Sequence, residues 1–404
     1  MKTKIDHHNY SSWLASATEM KRLVFQALDL RDDDDALAKL PPATTEEDAC
    51  VFLGCEIGPK LAAILLSHHA TVFPKLTGHP YDPYRSALYT WQDLMDGFDP
   101  ETPSSYWETT DWKTYLTYIQ VDENNKPYRP VRYVDAGPDE VLARRLHDHF
   151  IEDATDAFLS MFAPPVGKGV VAIMGGHDRK RSDPSFLAIA KLARALTLDG
   201  YLVASGGGPG LMEASNMGAY FASLTEAELE SAVSEMANAA DAYDDPLWLA
   251  SAWKVRARYE GRVDLTVSRS FGVPTWFYGH EPPNIFATHI AKYFENSLRE
   301  EGLLAIGTHG IIFAEGNGGT VQEIFQDACQ NYYRNYGFAS PMILFGEDYW
   351  NPAPDAEGNY PGKTKPLWPL LDKLSKDGRF NELIHLTSDP QVVLEKIREF
   401  EVVL

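Results

Sequence analysis

Two glycine-rich loops contain the residues of this sequence best suited to bind an anion. Residues 205–210 read Ser-Gly-Gly-Gly-Pro-Gly, and residues 315–320 read Glu-Gly-Asn-Gly-Gly-Thr. Each loop follows a short apolar run and precedes a segment with helical spacing of apolar residues. Glycine lets the backbone approach a ligand closely, and the unpaired N–H groups of a helix N-terminus attract negative charge. Two such loops in one α/β region predict a pocket for a phosphorylated small molecule.

A third glycine turn, Gly-Gly-His at residues 175–177, follows the continuous apolar run at 170–174. Beyond residue 164, apolar runs alternate with helical segments, which predicts a Rossmann-like α/β fold: a doubly wound parallel sheet with helices on both faces. Such sheets bind ligands at the carboxyl ends of their strands, where all three turns would cluster. The alternative is that these glycines only form tight turns.

The loops differ from the two best-known nucleotide motifs. The first lacks the Gly-x-Gly-x-x-Gly pattern of dinucleotide-binding folds, and neither is followed by the Gly-Lys-Ser/Thr of a Walker loop. The pattern therefore favours a site for one phosphate.

These residues resemble a known family. Residues 205–214, with Asn216 and the Gly-Ala pair at 218–219, are similar to the first signature of the LOG family of phosphoribohydrolases, often mislabelled as lysine decarboxylases. Residues 315–323 resemble its second signature, Pro-Gly-Gly-x-Gly-Thr-x-x-Glu. The turn at 175–177 and the Glu-Pro-Pro-Asn at 281–284 look closer to the long branch, the nucleotide 5′-monophosphate nucleosidases. The resemblance covers roughly residues 168–350.

The resemblance implies hydrolysis of the N-glycosidic bond of a nucleoside 5′-monophosphate, which yields free base and ribose 5-phosphate. Glu323 would be the catalytic carboxylate, because a carboxylate beside the anomeric carbon stabilises an oxocarbenium-like transition state and can activate water. Alone, it would be interpreted as a glutamate favoured by the helix dipole. The family also uses an arginine before the second loop, and Arg299 is the candidate, although Glu300 occupies the family spacing. A solvent-facing arginine is the alternative.

Together, the loops and the resemblance predict a set of substrate-binding residues. His177 would contact phosphate or base, or else have a capping or packing role. Glu281 and Asn284 suit sugar hydroxyls, or else belong to a rigid turn made by two prolines. The full set is Gly175, Gly176, His177, Gly206, Gly207, Gly208, Gly210, Met212, Glu213, Asn216, Glu281, Asn284, Gly316, Asn317, Gly318, Gly319 and Thr320.

The second loop departs from the family pattern at two positions. Glu315 stands where the family has proline, and its carboxylate would repel a phosphate unless it points away or pairs with a cation. Asn317 replaces a glycine, and asparagine is the residue other than glycine that best tolerates a left-handed backbone. The basic run at 179–181 is either a local source of positive charge or a surface loop.

The remaining sequence sets the domain expectation. Residues 164–404 are predicted to form the Rossmann-like domain, with a helical insertion at about 225–260. Residues 1–163 are predicted to form a mainly helical domain of unknown role, with helices at 12–30, 45–70 and 138–162 and a strand pair at 115–120 and 128–134.

Composition narrows the classes of partner. With 58 acidic and 36 basic residues among 404, the formal charge is −22, which disfavours nucleic acid and anionic membranes. Three cysteines make no disulfide framework, and the histidine pairs have the wrong helical offsets for joint metal ligation. A cytoplasmic protein with no metal and no cofactor is expected, and the resemblance implies a homodimer or larger assembly.

Three hypotheses follow from the sequence. The first is a LOG-like nucleotide hydrolase. The second is a non-catalytic nucleotide-binding or sensing protein in which Glu315 and Asn317 mark lost chemistry. The third, an amino-acid decarboxylase, is disfavoured because no lysine is placed to anchor pyridoxal phosphate beside a phosphate loop.

Overall fold

The computed structural model describes residues 2–277 and 282–401. The chain divides into two compact units, the first made of Met1–Leu88 and Asp135–Ala154, the second of Tyr89–Val134 and Thr155–Leu404. A boundary near residue 163 is expected from the sequence, whereas the second unit also includes the segment 89–134.

Eleven strands are present in the described residues. They are β1 Thr3–Ile5, β2 Leu23–Gln26, β3 Cys50–Leu53, β4 Ala70–Phe73, β5 Val170–Met174, β6 Leu202–Ser205, β7 Ser270–Gly272, β8 His289–Ile290, β9 Ile311–Phe313, β10 Met342–Phe345 and β11 Ile384–Thr387. All of them pair in parallel, so connecting segments must cross over between strands.

Fifteen α-helices connect and flank these strands in the described residues. They are α1 Tyr10–Ser16, α2 Asp34–Leu37, α3 Pro59–Ser67, α4 Trp91–Leu94, α5 Thr110–Tyr118, α6 Pro138–Leu159, α7 Pro184–Leu198, α8 Leu211–Tyr220, α9 Glu226–Ala239, α10 Trp248–Tyr259, α11 Asn296–Ala305, α12 Gly318–Tyr333, α13 Glu347–Trp350, α14 Trp368–Gly378 and α15 Pro390–Glu399. Over the ranges that the structure describes, none is both long and apolar enough to cross a membrane.

The first unit contains a four-stranded sheet in the order β1-β2-β3-β4. Its buried centre includes Phe25 and Phe52, whose rings stack with centroids 4.7 Å apart. The helices predicted over 12–30 and 45–70 are therefore wrong where β2 and β3 lie. A run of four apolar residues fits a buried strand as well as one helical turn, so periodicity alone cannot separate the two.

The second unit contains a seven-stranded parallel sheet in the order β11-β10-β9-β5-β6-β7-β8. From the central β5, the chain first adds strands on one side and then returns to add β9, β10 and β11 on the other. Helices cover both faces, and every residue of β5 is buried. This is the predicted doubly wound Rossmann-like fold, and its order reverses between β5 and β9.

Apolar runs predict strands at 170–174, 201–204, 270–277, 310–314 and 341–345. Four of these are confirmed within one residue at each end, whereas β7 ends early, at Gly272. The sequence pattern also predicts a helix over 285–302. Its first part is wrong, because this stretch contains the short strand β8 and α11 begins only at Asn296. β11 was not predicted. The strand pair predicted at 115–134 is reduced to isolated antiparallel bridges, Ile119 with Tyr133 and Val121 with Pro127, because α5 continues to Tyr118.

The insertion between α8 and β7 is helical, as predicted. α9 begins with a capping box in which Thr225 and Glu228 each accept from the other's backbone N–H. Beneath it, α7 and α8 pack so closely that a Cβ at Gly218 would lie 2.0 Å from the Ala190 carbonyl oxygen. The glycine of the first signature is therefore required by helix packing.

Burial of His289 predicts a pH dependence of stability. Desolvation, with a smaller contribution from Arg269, lowers the pKa of His289 to about 4, and the imidazole stacks on Phe158 at 4.2 Å. The unfolded chain takes up this proton near pH 6.5, so the unfolding free energy falls as pH decreases from about 6.5 toward 4. In His289→Gln, urea titrations between pH 7 and 5 should show a shallower fall. Replacing the exposed His8 should leave the slope unchanged; an equal slope in His289→Gln would contradict this prediction.

Candidate functional site

The three glycine turns meet at one edge of the larger sheet. The neighbouring strands β9, β5, β6 and β7 end at Phe313, Met174, Ser205 and Gly272, and each leads directly into a loop. The backbone N–H of Gly176 donates to the Glu315 carbonyl oxygen at 2.9 Å, which joins the 175–178 turn to the second loop. The predicted clustering is confirmed.

The first loop fits against the 175–178 turn with no space for a side chain. Gly210 has φ +67°, and a Cβ there would lie 2.4 Å from the Gly176 carbonyl oxygen and 2.7 Å from that of His177. Gly207 has φ +72°, and its Cβ would lie 2.7 Å from Pro274 Cδ. A Cβ on Gly175 would lie 2.8 Å from Leu211 Cβ. These glycines are required by close packing.

Beneath the first loop lies a buried amide network. Asn216 Oδ1 accepts from Ser205 Oγ at 2.8 Å and from Asn284 Nδ2 at 2.9 Å. Asn284 Nδ2 also donates to the Gly208 carbonyl oxygen, and Asn284 Oδ1 accepts from the backbone N–H groups of Phe286 and Ala287. Both asparagines are fully buried, so these contacts make them supports of the loop backbone. Glu281, predicted beside Asn284, lies outside the described residues.

The two predicted catalytic residues face each other. Arg299 Nη1 lies 3.4 Å from Glu323 Oε1, and Arg299 Nε donates to the Val273 carbonyl oxygen at 2.9 Å. A Cβ on Gly206 would lie 2.4 Å from Arg299 Nη2 and 2.5 Å from Met212 Sδ. The guanidinium therefore lies against the first loop while its partner Glu323 follows the second, and both side chains are only about a tenth exposed.

The position of Glu300 explains the one-residue offset in spacing. Gln322 Nε2 donates to Glu300 Oε2 at 2.6 Å, so this carboxylate faces the outer side of α12. Arg299, one residue earlier on α11, is the side chain directed toward Glu323.

The second loop presents an open helix N-terminus. Gly318 and Gly319 are exposed, a Cβ on either would have open space around it, and neither has a positive φ. Nothing in the described protein around them therefore demands glycine. By contrast, a Cβ on Gly316 would lie 2.1 Å from Thr320 Oγ1, and the Gly316 carbonyl oxygen accepts from Tyr349 at 2.5 Å.

The two departures from the family pattern form contacts across the loops. Glu315 Oε2 lies 3.0 Å from Arg179 Nη1, so the carboxylate is paired with a cation. Asn317 Nδ2 donates to Asp178 Oδ2 at 3.1 Å. The backbone of Asn317 has φ −97°, so the left-handed conformation considered for it is absent. Its amide bridges to the 175–178 turn instead.

Glu213 and Arg181 form a buried ion pair. Arg181 Nη2 lies 2.5 Å from Glu213 Oε1, and each side chain is 1% exposed. Trp248 Nε1 also donates to Glu213, while Arg181 donates to Ser251 and to the Ala240 carbonyl. Arg181 is therefore not a surface cation for phosphate, and Glu213 fixes the helical insertion to α8.

His177 lies between the first loop and the insertion. Its backbone carbonyl packs on Gly210, and its half-buried ring makes an edge contact with Tyr243 at 5.6 Å between centroids. Tyr243 and Tyr349 were not identified from the sequence. The sequence signals for them are weak: Tyr243 follows α9, and Tyr349 lies within the short helix α13 after β10. Among the residues that the structure describes, no cluster of three metal-ligating side chains is present.

Comparisons with known proteins leave the family open. No protein-family model matches the chain. No curated protein matches it. Similar solved structures include the molybdenum cofactor binding protein from the phototrophic bacterium Rippkaea orientalis, with 13% identity, TM-score 0.32, and coverage of 57% of this chain and 95% of that one. The structural-genomics target TM1055 has 16% identity, TM-score 0.33, and coverage of 57% and 99%. The Moco carrier protein from Chlamydomonas reinhardtii has 13% identity, TM-score 0.33, and coverage of 57% and 99%. Likeness at this level assigns neither ligand nor activity to this chain.

The buried ion pair gives a stability prediction. Arg181→Met leaves the Glu213 charge buried without its partner, which should cost about 3–5 kcal/mol of unfolding free energy. Adding Glu213→Gln removes that charge and should restore part of the loss. Denaturant titration measures both variants. If the unfolding free energy of Arg181→Met lay within about 1 kcal/mol of that of the native protein, the Arg181–Glu213 pair would not have the structural role assigned to it.

Proposed function

We propose that this protein hydrolyses the N-glycosidic bond of a nucleoside 5′-monophosphate, releasing free base and ribose 5-phosphate. The observation that supports it most is the Arg299–Glu323 pair, which joins the first glycine loop to the helix that follows the second. The resemblance of both loops to LOG signatures supports the same proposal.

The phosphate would bind at the second loop, where the N-terminus of α12 is open. The N–H groups of Gly318, Gly319 and Thr320 belong to the first turn of a sixteen-residue helix, whose dipole favours an anion. The absence of side chains at two of these positions allows phosphate oxygens to reach the backbone.

In this proposal Glu323 acts on the sugar. It lies one helical turn beyond the phosphate site, so a ribose extending from the bound phosphate can bring its anomeric carbon near the carboxylate. As the bond from C1′ to the base breaks, its electron pair leaves with the base, which then takes up a proton. The carboxylate stabilises the positive sugar and accepts a proton from the attacking water. Arg299 orients that carboxylate.

The local charge balance is compatible with an anion. Glu315 and Asp178 place two carboxylates beside the second loop. Arg179 pairs with Glu315, and Lys363 Nζ lies 3.8 Å from Asp178 Oδ2. Arg179 is thus the residue of the basic run that offsets the unusual glutamate.

A second candidate is a nucleotide-binding protein without catalysis. The two departures of the second loop from the family motif favour it, because Glu315 replaces a proline and Asn317 replaces a glycine, and both add a polar side chain beside the loop.

The family resemblance also implies a homodimer, which analytical ultracentrifugation would test.

The catalytic proposal predicts the behaviour of Glu323→Gln. Purified protein incubated with AMP, GMP, CMP and UMP should release base from at least one, as followed by chromatography. Glu323→Gln should lower that rate about 100-fold or more, because general base catalysis and charge stabilisation are both lost. Glu382→Gln, which alters an exposed carboxylate, is the matched control. Tight nucleotide binding with no base release from the native protein would identify the binding protein instead.

Because the second loop is open, we predict that a substitution there weakens ligand binding without lowering the unfolding free energy. Gly319→Ala should leave the unfolding free energy unchanged or raise it by up to about 1 kcal/mol, since alanine favours helix. Its methyl group should weaken ribose 5-phosphate binding about tenfold or more. Gly302→Ala on α11, also in open space, should affect stability similarly and binding not at all. Unchanged affinity in Gly319→Ala, measured by calorimetry, would place the phosphate elsewhere.

A further inference from the structure

The second unit contains a cavity of about 510 Å³ that no predicted site residue explains. Three stretches outside the glycine loops form its walls: 98–107, 124–127 and 243–249, together with Pro282. Its most prominent lining side chains are aromatic, namely Phe98, Tyr106, Trp107, Tyr243 and Trp248. A volume of this size is typical of small-molecule sites, which combine apolar walls with a few polar groups.

Buried charges hold one wall of this cavity in place. Tyr106 donates to Asp111 Oδ2 at 2.8 Å, and Asp111 Oδ1 accepts from Lys292 at 2.5 Å and from Trp276 at 3.0 Å. Desolvation of its buried hydroxyl, with the nearby Asp111 charge, raises the pKa of Tyr106. The wall that contains Trp248 is held by the hydrogen bond that its Nε1 donates to Glu213. The cavity is therefore formed before any ligand arrives.

The cavity adjoins the first glycine loop. Tyr243, on its wall, contacts the ring of His177, whose backbone packs on Gly210 of the first loop. Pro282, also on its wall, precedes by two residues the Asn284 that holds the Gly208 carbonyl. One ligand can therefore extend from the loops into the cavity.

The charges that line the cavity indicate which part of a ligand would bind there. Asp244 and Asp245 line it, and Lys126 is the one cation among the described lining residues. Two carboxylates against one ammonium group disfavour a phosphate there, whereas they can accept hydrogen bonds from ring N–H or amino groups. The anionic part of a ligand belongs at the loops and a planar, nitrogen-bearing part belongs in the cavity.

We propose that this aromatic cavity binds the base of the nucleotide and selects fused-ring purines over single-ring pyrimidines by stacking on Trp107 and Tyr243. Aromatic stacking is worth enough per base to change affinity severalfold to more than a hundredfold on alanine substitution, and it grows with ring area. The proposal rests on the proposed function, because the loops must bind the phosphate of the same molecule.

The test compares AMP, UMP and ribose 5-phosphate by calorimetry, in the full-length Glu323→Gln protein so that no substrate is consumed. AMP should bind more tightly than UMP, and both more tightly than ribose 5-phosphate. Adding Trp107→Ala or, separately, Tyr243→Ala should weaken AMP about tenfold and leave ribose 5-phosphate unchanged. Tyr360→Ala, at a half-exposed tyrosine outside the cavity, should change neither.

Two controls keep a folding defect from imitating the result. Unchanged ribose 5-phosphate affinity shows that the loops of the variant are intact. Trp107→Phe keeps a ring in place, so it should retain most AMP affinity while losing the part of the fluorescence quenching that AMP causes at Trp107.

The outcomes separate this inference from the proposed function. If ribose 5-phosphate binds but the cavity variants weaken AMP no more than ribose 5-phosphate, the base lies elsewhere and the inference alone fails. If ribose 5-phosphate does not bind, the phosphate site fails; adenosine binding that is lost in Trp107→Ala would then still support the cavity. If adenosine does not bind either, both are overturned.

Discussion

The position of β5 between β6 and β9 is the constraint on which the site depends. Because the strand order reverses there, the connections leaving β5 and β9 cross to opposite faces and leave a crevice between them. The hydrogen bond from Gly176 to the Glu315 carbonyl spans that crevice and sets the distance between the 175–178 turn and the second loop. Arg299 lies against the first loop, after β6, while it pairs with Glu323 on the helix that follows the second loop, so the two candidates meet because the sheet is wound in this order.

Buried charge fixes the elements that surround this crevice. The Arg181–Glu213 pair ties the helical insertion to α8, and Asp111 with Lys292 ties the segment 89–134 to the region after β8. Such pairs rarely add net stability over apolar residues, since desolvation offsets their attraction. Ion pairs are directional, so each of these pairs fixes the relative position of the two elements that it joins. The aromatic side chains that line the cavity are thereby held at defined positions.

The parts of the structure predicted from sequence are those governed by local pattern. Continuous apolar runs followed by glycine predict β5, β6 and β9 and their convergence, and the family resemblance singles out Arg299 and Glu323, whose side chains the structure brings to 3.4 Å. The first unit's sheet was missed because runs such as Cys50–Leu53 are too short to distinguish from a helical turn. Local sequence patterns also cannot predict contacts between residues that are distant in sequence. The partner of Glu315 and the burial of Arg181 depend on how the turn after β5 folds, and the cavity depends on three segments brought together by tertiary packing.

The tight packing of the first loop has a consequence for sequence motifs. At Gly207, Gly210 and Gly218 the neighbouring atoms belong to the protein itself, so any chain with this architecture needs glycine there, whether or not it retains chemistry. A sequence match at these positions therefore indicates a shared fold and ancestry rather than a shared activity. Gly318 and Gly319 face open space, and among the described residues no neighbouring atom requires their lack of side chains, whereas the proposed phosphate site would. For diagnosing activity in relatives of such a protein, the second motif is the informative one.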